Sequence, residues 1–225
     1  LNHIGLEYCP AEMMASNPLW CHSLQEWKAV TNFWITNPGP DEVLLSSIFF
    51  DNNMTYGDKR LVDKLSNHIF EQVKKNPLFL SHLASGALQN PSPSSFFRDF
   101  LVEQDGQHKD SFDVKLRVLM PMIDAARVLI LSHHVKSINN TADRYEKLAE
   151  LEEQNREIYL ACSYASKALL MFRTLQCVLN NDSGRFISLY FLNKEEKLKL
   201  KRTFRTLREI QELLEVRFQV KNLLR

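Results

Sequence analysis

The chain lacks four common signatures of a self-contained nucleotide or hydrolytic site. The P-loop, G-x-S-x-G, H-E-x-x-H and G-x-G-x-x-G patterns are all missing. That excludes the glycine-rich phosphate cradle, the nucleophile elbow, the helical zinc dyad and the dinucleotide fingerprint. There is no Gly-Ser dipeptide and no D-x-D pair, so the carboxylate pair that two-metal nucleotidyl transfer requires is not in this stretch. The 4 cysteines (Cys9, Cys21, Cys162 and Cys177) form no C-x-x-C, which argues against zinc and dithiol chemistry and for free thiols in a reducing compartment. His133 and His134 are adjacent, so they do not share a helix face and do not make a two-histidine metal site. No catalytic and no metal-ligating residue is therefore assigned. A secretory leader and an uncharged run of about 20 apolar residues are also missing, so the expectation is a cytoplasmic protein with no membrane partner. Without a leader the sequons at Asn53, Asn139 and Asn181 carry no meaning. The net charge is only +1, and no general field attracts nucleic acid.

What is present is ordinary globular material. The 225 residues are 44% hydrophobic and 24% charged, enough for one large domain, or one domain plus a fragment. The chain opens on Leu1 in what reads as the tail of another unit, so a piece of a longer polypeptide is expected. The most apolar stretch is FDVKLRVLMPMIDAARVLIL, Phe112 to Leu131. Its apolar residues point in nearly all directions, which predicts a central helix buried on most of its surface. Asp124 and Arg127 stand three apart on that helix and are neighbours. Either they form an intrahelical ion pair, or they line a cleft that takes a polar ligand.

Helices are predicted along most of the chain. Asn17 with Pro18 reads as the start of one running through Thr36. Its stripe of Trp20, Leu24, Trp27, Val30 and Trp34 fits core better than a ligand box. Asp41 opens a short helix, and Asp58 caps the next, in which Leu61, Leu65 and Ile69 share a face. Residues 96–102 and SFDVKL, around Asp105-Gly106, suggest a short β-hairpin, with a helix as the competing reading of the first arm. Asn140 or Thr141 starts another helix, and residues 155–179 make a long one. Asn193 with Glu196 has the spacing of a capping box. It opens a last helix with Leu200, Phe204, Leu207, Gln211, Leu214 and Phe218 on one side and a solvated basic face on the other. The fold class expected is mainly α: an antiparallel helical bundle with one short β-hairpin.

Four stretches, YCPAEMMASNPLW, IFFDNNMTYGD, FDVKLRVLMPMIDAAR and NNTADRYEKL, together and in this order resemble the bacterial nucleotidyltransferase substrate-binding domain family. Such domains follow a nucleotidyltransferase domain in signal-transduction proteins that also carry cyclic-nucleotide-binding and CBS domains, an arrangement similar to protein-PII uridylyltransferase. The resemblance implies that residues 1–40 are the tail of an upstream nucleotidyltransferase domain plus a connecting helix, and that 41–225 are the helical substrate-binding domain. It implies substrate-binding roles for Asp51, Gly57 and Asp58 of the F-F-D…G-D motif, for Lys115, for the central-helix pair Asp124 and Arg127, and for Thr141 with Arg144. The chain departs from the family pattern at Asn53, where Arg is usual, and at Ala11, Glu12, Arg117 and Val118, where Gly is common. A lost Arg removes a bidentate phosphate partner, and lost glycines remove close backbone approach.

The activity implied is transfer of a nucleoside monophosphate to a protein hydroxyl. Mg²⁺ and a nucleoside triphosphate would be held by the full-length protein, with no cofactor in this chain. The implied partners are the upstream domain and a protein acceptor. The competing reading, from another class, is a non-catalytic interaction or homodimerisation module that contacts its partner through the last helix. A nucleotide site requires Lys115, Arg127 and Asp51 to converge on one cleft, whereas a pure scaffold buries them as structural pairs. IFFDNNMTYGD and FDVKL are expected to meet at the mouth of that cleft. If they do not meet, Asp58 is only a helix cap and Lys115 only a surface lysine.

Overall fold

The computed structural model describes residues 2–5, 8–9, 11–89, 102–103, 106 and 110–222. Eight α-helices and one two-stranded antiparallel sheet make up its regular structure: α1 (Leu24–Thr36), α2 (Pro40–Phe49), α3 (Lys59–Lys75), α4 (Leu78–Ala87), β1 (Ser111–Asp113), α5 (Met120–Ser132), α6 (Thr141–Leu151), α7 (Arg156–Asn180), β2 (Phe186–Ser188) and α8 (Lys194–Arg217). The mainly α bundle expected from the sequence is what forms.

The centre is α5. Met122, Ala125, Ala126 and Leu129 are fully buried in it, and α4, α6 and α8 pack around it. Small residues at 125 and 126 let those neighbours approach the α5 backbone closely. The buried Tyr145 hydroxyl of α6 donates to the Met122 carbonyl at 2.7 Å. The N-terminal half forms a second layer, in which α1 packs on α3 and on α2, and α2 on α4. One continuous apolar core runs through both layers.

Three local expectations are corrected. The Asn17–Pro18 start yields only a single 3₁₀ turn, Pro18–Trp20. The α-helix begins anew at Leu24, where Ser23 and Glu26 form a reciprocal capping box. Two orphan amides are satisfied there at once, and this outcompetes continuation of the first turn. The central helix starts after Phe112 and Asp113, which belong to β1. Its first turn, Lys115–Leu119, is a wide π turn in which the Met120 amide donates to the Lys115 carbonyl. Pro121 follows directly, and its ring has no N–H to continue an ordinary i→i−4 ladder. Finally, β1 pairs with β2 in the register Ser111↔Ser188, Phe112↔Ile187 and Asp113↔Phe186. The first arm of the expected hairpin, 96–102, lies almost wholly outside the described residues. Glu103 does pair locally, donating its amide to the Ser111 carbonyl at 2.9 Å and accepting from the Asp110 amide at 2.9 Å.

A polar clasp ties the far ends of α5, α6, α7 and α8 together. Glu152, at the α6–α7 junction, is buried. Its carboxylate accepts from Arg217 Nη1 at 2.6 Å and from Nη2, from Tyr159 Oη at 2.8 Å and from Asn155 Nδ2 at 2.7 Å. It also meets His133 Nε2. Burial alone would raise this carboxyl, but the hydrogen bonds from Arg217, Asn155, His133 and Tyr159 outweigh it and hold it at about 2.

Candidate functional site

A cleft of about 470 Å³ opens between α2, α3, α4 and α5. Most of its wall is apolar, with Val43, Phe50, Ile69, Leu83, Met120 and Val128 among the contributors. Its polar end is formed by Asp51, Asn52, Asp124, Arg127, Asn139 and Arg144. A mainly apolar cavity with a few convergent polar groups is the usual form of a small-molecule or side-chain site.

Asp51 organises that end. It follows α2 in a turn where its amide donates to the Ile48 carbonyl at 3.2 Å. Its Oδ2 accepts from Arg127 Nε at 2.6 Å and from Arg127 Nη2 at 2.6 Å, while Oδ1 accepts from Arg144 Nη2. Arg127 then turns its remaining nitrogen, Nη1, to Asp124 Oδ1 at 2.8 Å. Arg144 Nε donates to the Ile138 carbonyl at 2.7 Å, and Asn139 Nδ2 donates to the Asp51 carbonyl at 2.6 Å. Two carboxylates and two guanidinium groups thus form one neutral chain across α2, α5 and α6. The side chain of Arg144 is only 4% exposed, and its Nη1 has no hydrogen-bond partner among the described residues. Burial pushes the Asp124 carboxyl above the usual range; Arg127 pulls it down and Asp51 pushes it up again.

The residues expected from the sequence divide into two groups. Asp51, Asp124, Arg127 and Arg144 converge on the cleft. Gly57, Asp58, Lys115 and Thr141 are not part of its wall, so the expected convergence of Lys115 with Asp51 and Arg127 is corrected: only the latter two meet there. Gly57 adopts φ +106° in a turn, a conformation that favours glycine. Asp58 is the N-cap of α3, accepting from the Arg60 amide at 2.9 Å and pairing with the Arg60 guanidinium at 2.7 Å. Hydrogen bonds from Arg60 hold its carboxyl below the usual range. Lys115 is exposed in the wide turn before α5. Its neighbour Leu116 does reach the cleft, as do Phe50 and Asn52, so the two signature stretches touch the same cavity through other side chains. Thr141 is the first residue of α6, behind its cap Asn140.

Sequence reasoning missed Asn139 and Lys136. Asn139 sits next to the cap residue, and only folding reveals that it binds a backbone carbonyl 88 positions away. Lys136 lines the cleft and contacts Asp63 at 3.3 Å and Asn67 at 3.2 Å on α3. The aromatic stripe also divides. Trp34 is buried, whereas Trp20 and Trp27, stacked with Phe49, line a second, more open cleft of about 560 Å³. Asp51 borders both clefts.

A divalent cation does not fit the described residues. No group of three or more His, Cys, Asp and Glu side chains among them could hold a metal ion, and the Asp51 and Asp124 carboxylates are committed to arginines. Among the described residues no helix is long and apolar enough to cross a membrane.

No curated protein and no solved structure matches the chain. Two family models do. One, described as putative nucleotidyltransferase, matches residues 1–41. The other, described as putative nucleotidyltransferase substrate binding domain, matches residues 77–218. Asp51 lies between the two matched stretches, while Asp124, Arg127 and Arg144 lie within the second. That second match takes in more than half of the chain, and the chain belongs to the family so described.

Proposed function

We propose that this chain is the substrate-positioning helical domain of a signal-transduction nucleotidyltransferase resembling protein-PII uridylyltransferase. The observation that carries the reading is the Asp124–Arg127–Asp51–Arg144 chain at the polar end of a preformed, largely apolar cleft. Its charges hold one another in place, so a substrate entering the cleft meets donors whose positions are already fixed. Arg144 Nη1 is a buried donor left over, and an oxygen acceptor would satisfy it. In this reading the acceptor protein or the nucleotide contacts the cleft, while Mg²⁺, the triphosphate and the reacting carboxylates belong to a preceding catalytic domain. The lack of a D-x-D pair in the sequence and of a metal-binding cluster among the described residues is consistent with that division.

The test is a titration of the chain with UTP or ATP, followed by amide and arginine Nε chemical shifts. Perturbations at millimolar nucleotide should cluster at Asp51, Asn52, Arg127 and Asn139. Leu44→Trp, on the cleft wall and 56% exposed in the native chain, should abolish them. With Mg²⁺ and labelled triphosphate the chain alone should label no acceptor. Shifts confined to other surfaces, or metal-dependent labelling by this chain, would overturn the assignment.

A further inference from the structure

The outward face of α7 is built the wrong way round for a helix that ends in solvent. Its inner side buries Cys162, Ser163, Ser166 and Gln176 along with Leu169 and Phe172. Its outer side exposes Leu160, Tyr164, Met171, Leu175 and Val178, with Tyr164 67% and Val178 75% exposed. At 100° per residue these five fall within an arc of about 60° and run for roughly 27 Å along the helix. A strict heptad seam would run through Leu160, Tyr164, Lys167, Met171, Thr174 and Val178; Leu175 stands directly beside it, so the stripe is an apolar helix face of that type and not a regular seam. The one charged residue inside the stripe is Lys167, whose Nζ is bound to Glu146 Oε1 at 2.6 Å. The neighbouring long helix, α8, shows an ordinary outer face, with Lys199–Glu195, Arg205–Glu209 and Arg208–Glu212 pairs one turn apart. The apolar stripe is thus particular to α7.

We propose that this stripe is a two-fold interface at which α7 packs antiparallel against α7 of a second copy of the chain. Three observations select a second copy. A patch that meets itself across a two-fold axis must tolerate its own charge, and this one has a single charge, already neutralised within the chain. Its area suits the purpose: the five side chains expose on the order of 600 Å², at the upper end of what a monomer leaves in one patch and approaching the roughly 800 Å² per partner of a standard interface. The stripe is nearly symmetric about the midpoint of Ala168 and Met171, so in the antiparallel arrangement Leu160 of one copy faces Val178 of the other and Tyr164 faces Leu175. That arrangement also sets each helix N-terminus beside the partner's C-terminus, which the helix dipoles favour. The contact helix is α7, not the basic α8, and the proposal does not depend on what the cleft binds.

Sedimentation equilibrium of the chain tests it. The expected result is a monomer–dimer equilibrium in the micromolar range. Met171→Glu and Met171→Lys should each be monomeric, with helical circular dichroism unchanged and melting like that of the native chain diluted below its dimerisation range. An equimolar mixture of the two should dimerise again, because position 171 lies beside its own symmetry mate. Val178→Glu, at a more exposed position, should weaken dimerisation at least tenfold and serves if the Met171 variants fail to fold. A chain that stays monomeric at all concentrations overturns the proposal and leaves the face to another polypeptide. A dimer that survives both Met171→Glu and Val178→Glu overturns it as well, by placing the contact elsewhere.

Discussion

Asp51 and Glu152 are both carboxylates held by arginine, and they lie at opposite ends of the bundle's logic. Glu152 is sealed: its side chain is 7% exposed, and Arg217, Tyr159, Asn155 and His133 together occupy its oxygens. It lines neither of the two clefts described above. Asp51 is 24% exposed, receives two arginines and borders two cavities. The same ionic chemistry thus serves two ends. Where it is closed, it fixes the relative positions of four helices. Where it stands at a cavity wall, it presents ordered polar groups to whatever enters. Burial and the neighbouring volume make the difference, since the side-chain types are the same.

The sharpest way to break this comparison is to remove one partner of each cluster. The largest loss is expected at the sealed one. Arg217→Ala leaves a buried carboxylate without its bidentate partner, and about 3–5 kcal/mol of stability should disappear in denaturant melts. Acid should expose the same contribution. The folded carboxyl of Glu152 is held at about 2 against an ordinary 4.5, so its contribution is present above pH 4.5 and lost as pH falls from there towards 2. The full amount is about 3 kcal/mol by the conversion of one pKa unit to 1.36 kcal/mol. Glu152→Gln should flatten this acid limb. An acid limb identical to that of the native chain would mean that the clasp is not closed in solution.

The middle effect lies in the cleft. Asp51→Asn strips the shared acceptor from Arg127 and Arg144 and should cost about 1–3 kcal/mol. Asp124→Asn should cost less, under about 1 kcal/mol, because burial already disfavours the charged form of Asp124. Thermal melts of the two variants rank them; the reverse order would make Asp124 the anchor of the cluster. The smallest effect belongs to the signature residue outside both clusters. Lys115→Ala, at an exposed position, should leave the melt within about 0.5 kcal/mol of the native value. It should also leave the nucleotide-induced shifts at Asn52 and Asn139 intact. A loss of those shifts would extend the site beyond the cleft wall.

Much of the fold was legible because its signals are local. Asp58, Asn140 and the Asn193–Glu196 box cap helices as their spacing indicated. The stripe from Leu200 to Phe218 is buried at every one of its six positions. The Ser23–Glu26 box was equally available in the letters, but the tryptophan spacing ran across it and suggested one helix where two segments form. The pairing of β1 with β2 was not legible, because its partners stand more than 70 residues apart and three-residue strands carry no period of their own. Within the site, the Asp124–Arg127 contact is an i,i+3 pair that helix geometry alone implies. The contacts of Asp51 span 76 and 93 residues; the family resemblance pointed to the residues, and no pattern in the chain pointed to the contacts.

The sequence by itself determined the helices, their caps, the buried central segment and the lack of metal-binding and phosphate-cradling motifs, since propensity, periodicity and capping act over a few residues. Only the tertiary structure decided which charged residues share a cleft, which are sealed as a clasp and which stay on the surface. It also decided that one apolar stripe of α7 faces outward while Ser163 and Ser166 are buried beside Leu169 and Phe172. Those outcomes depend on which helix faces meet, and that is settled by the packing of the whole core around α5.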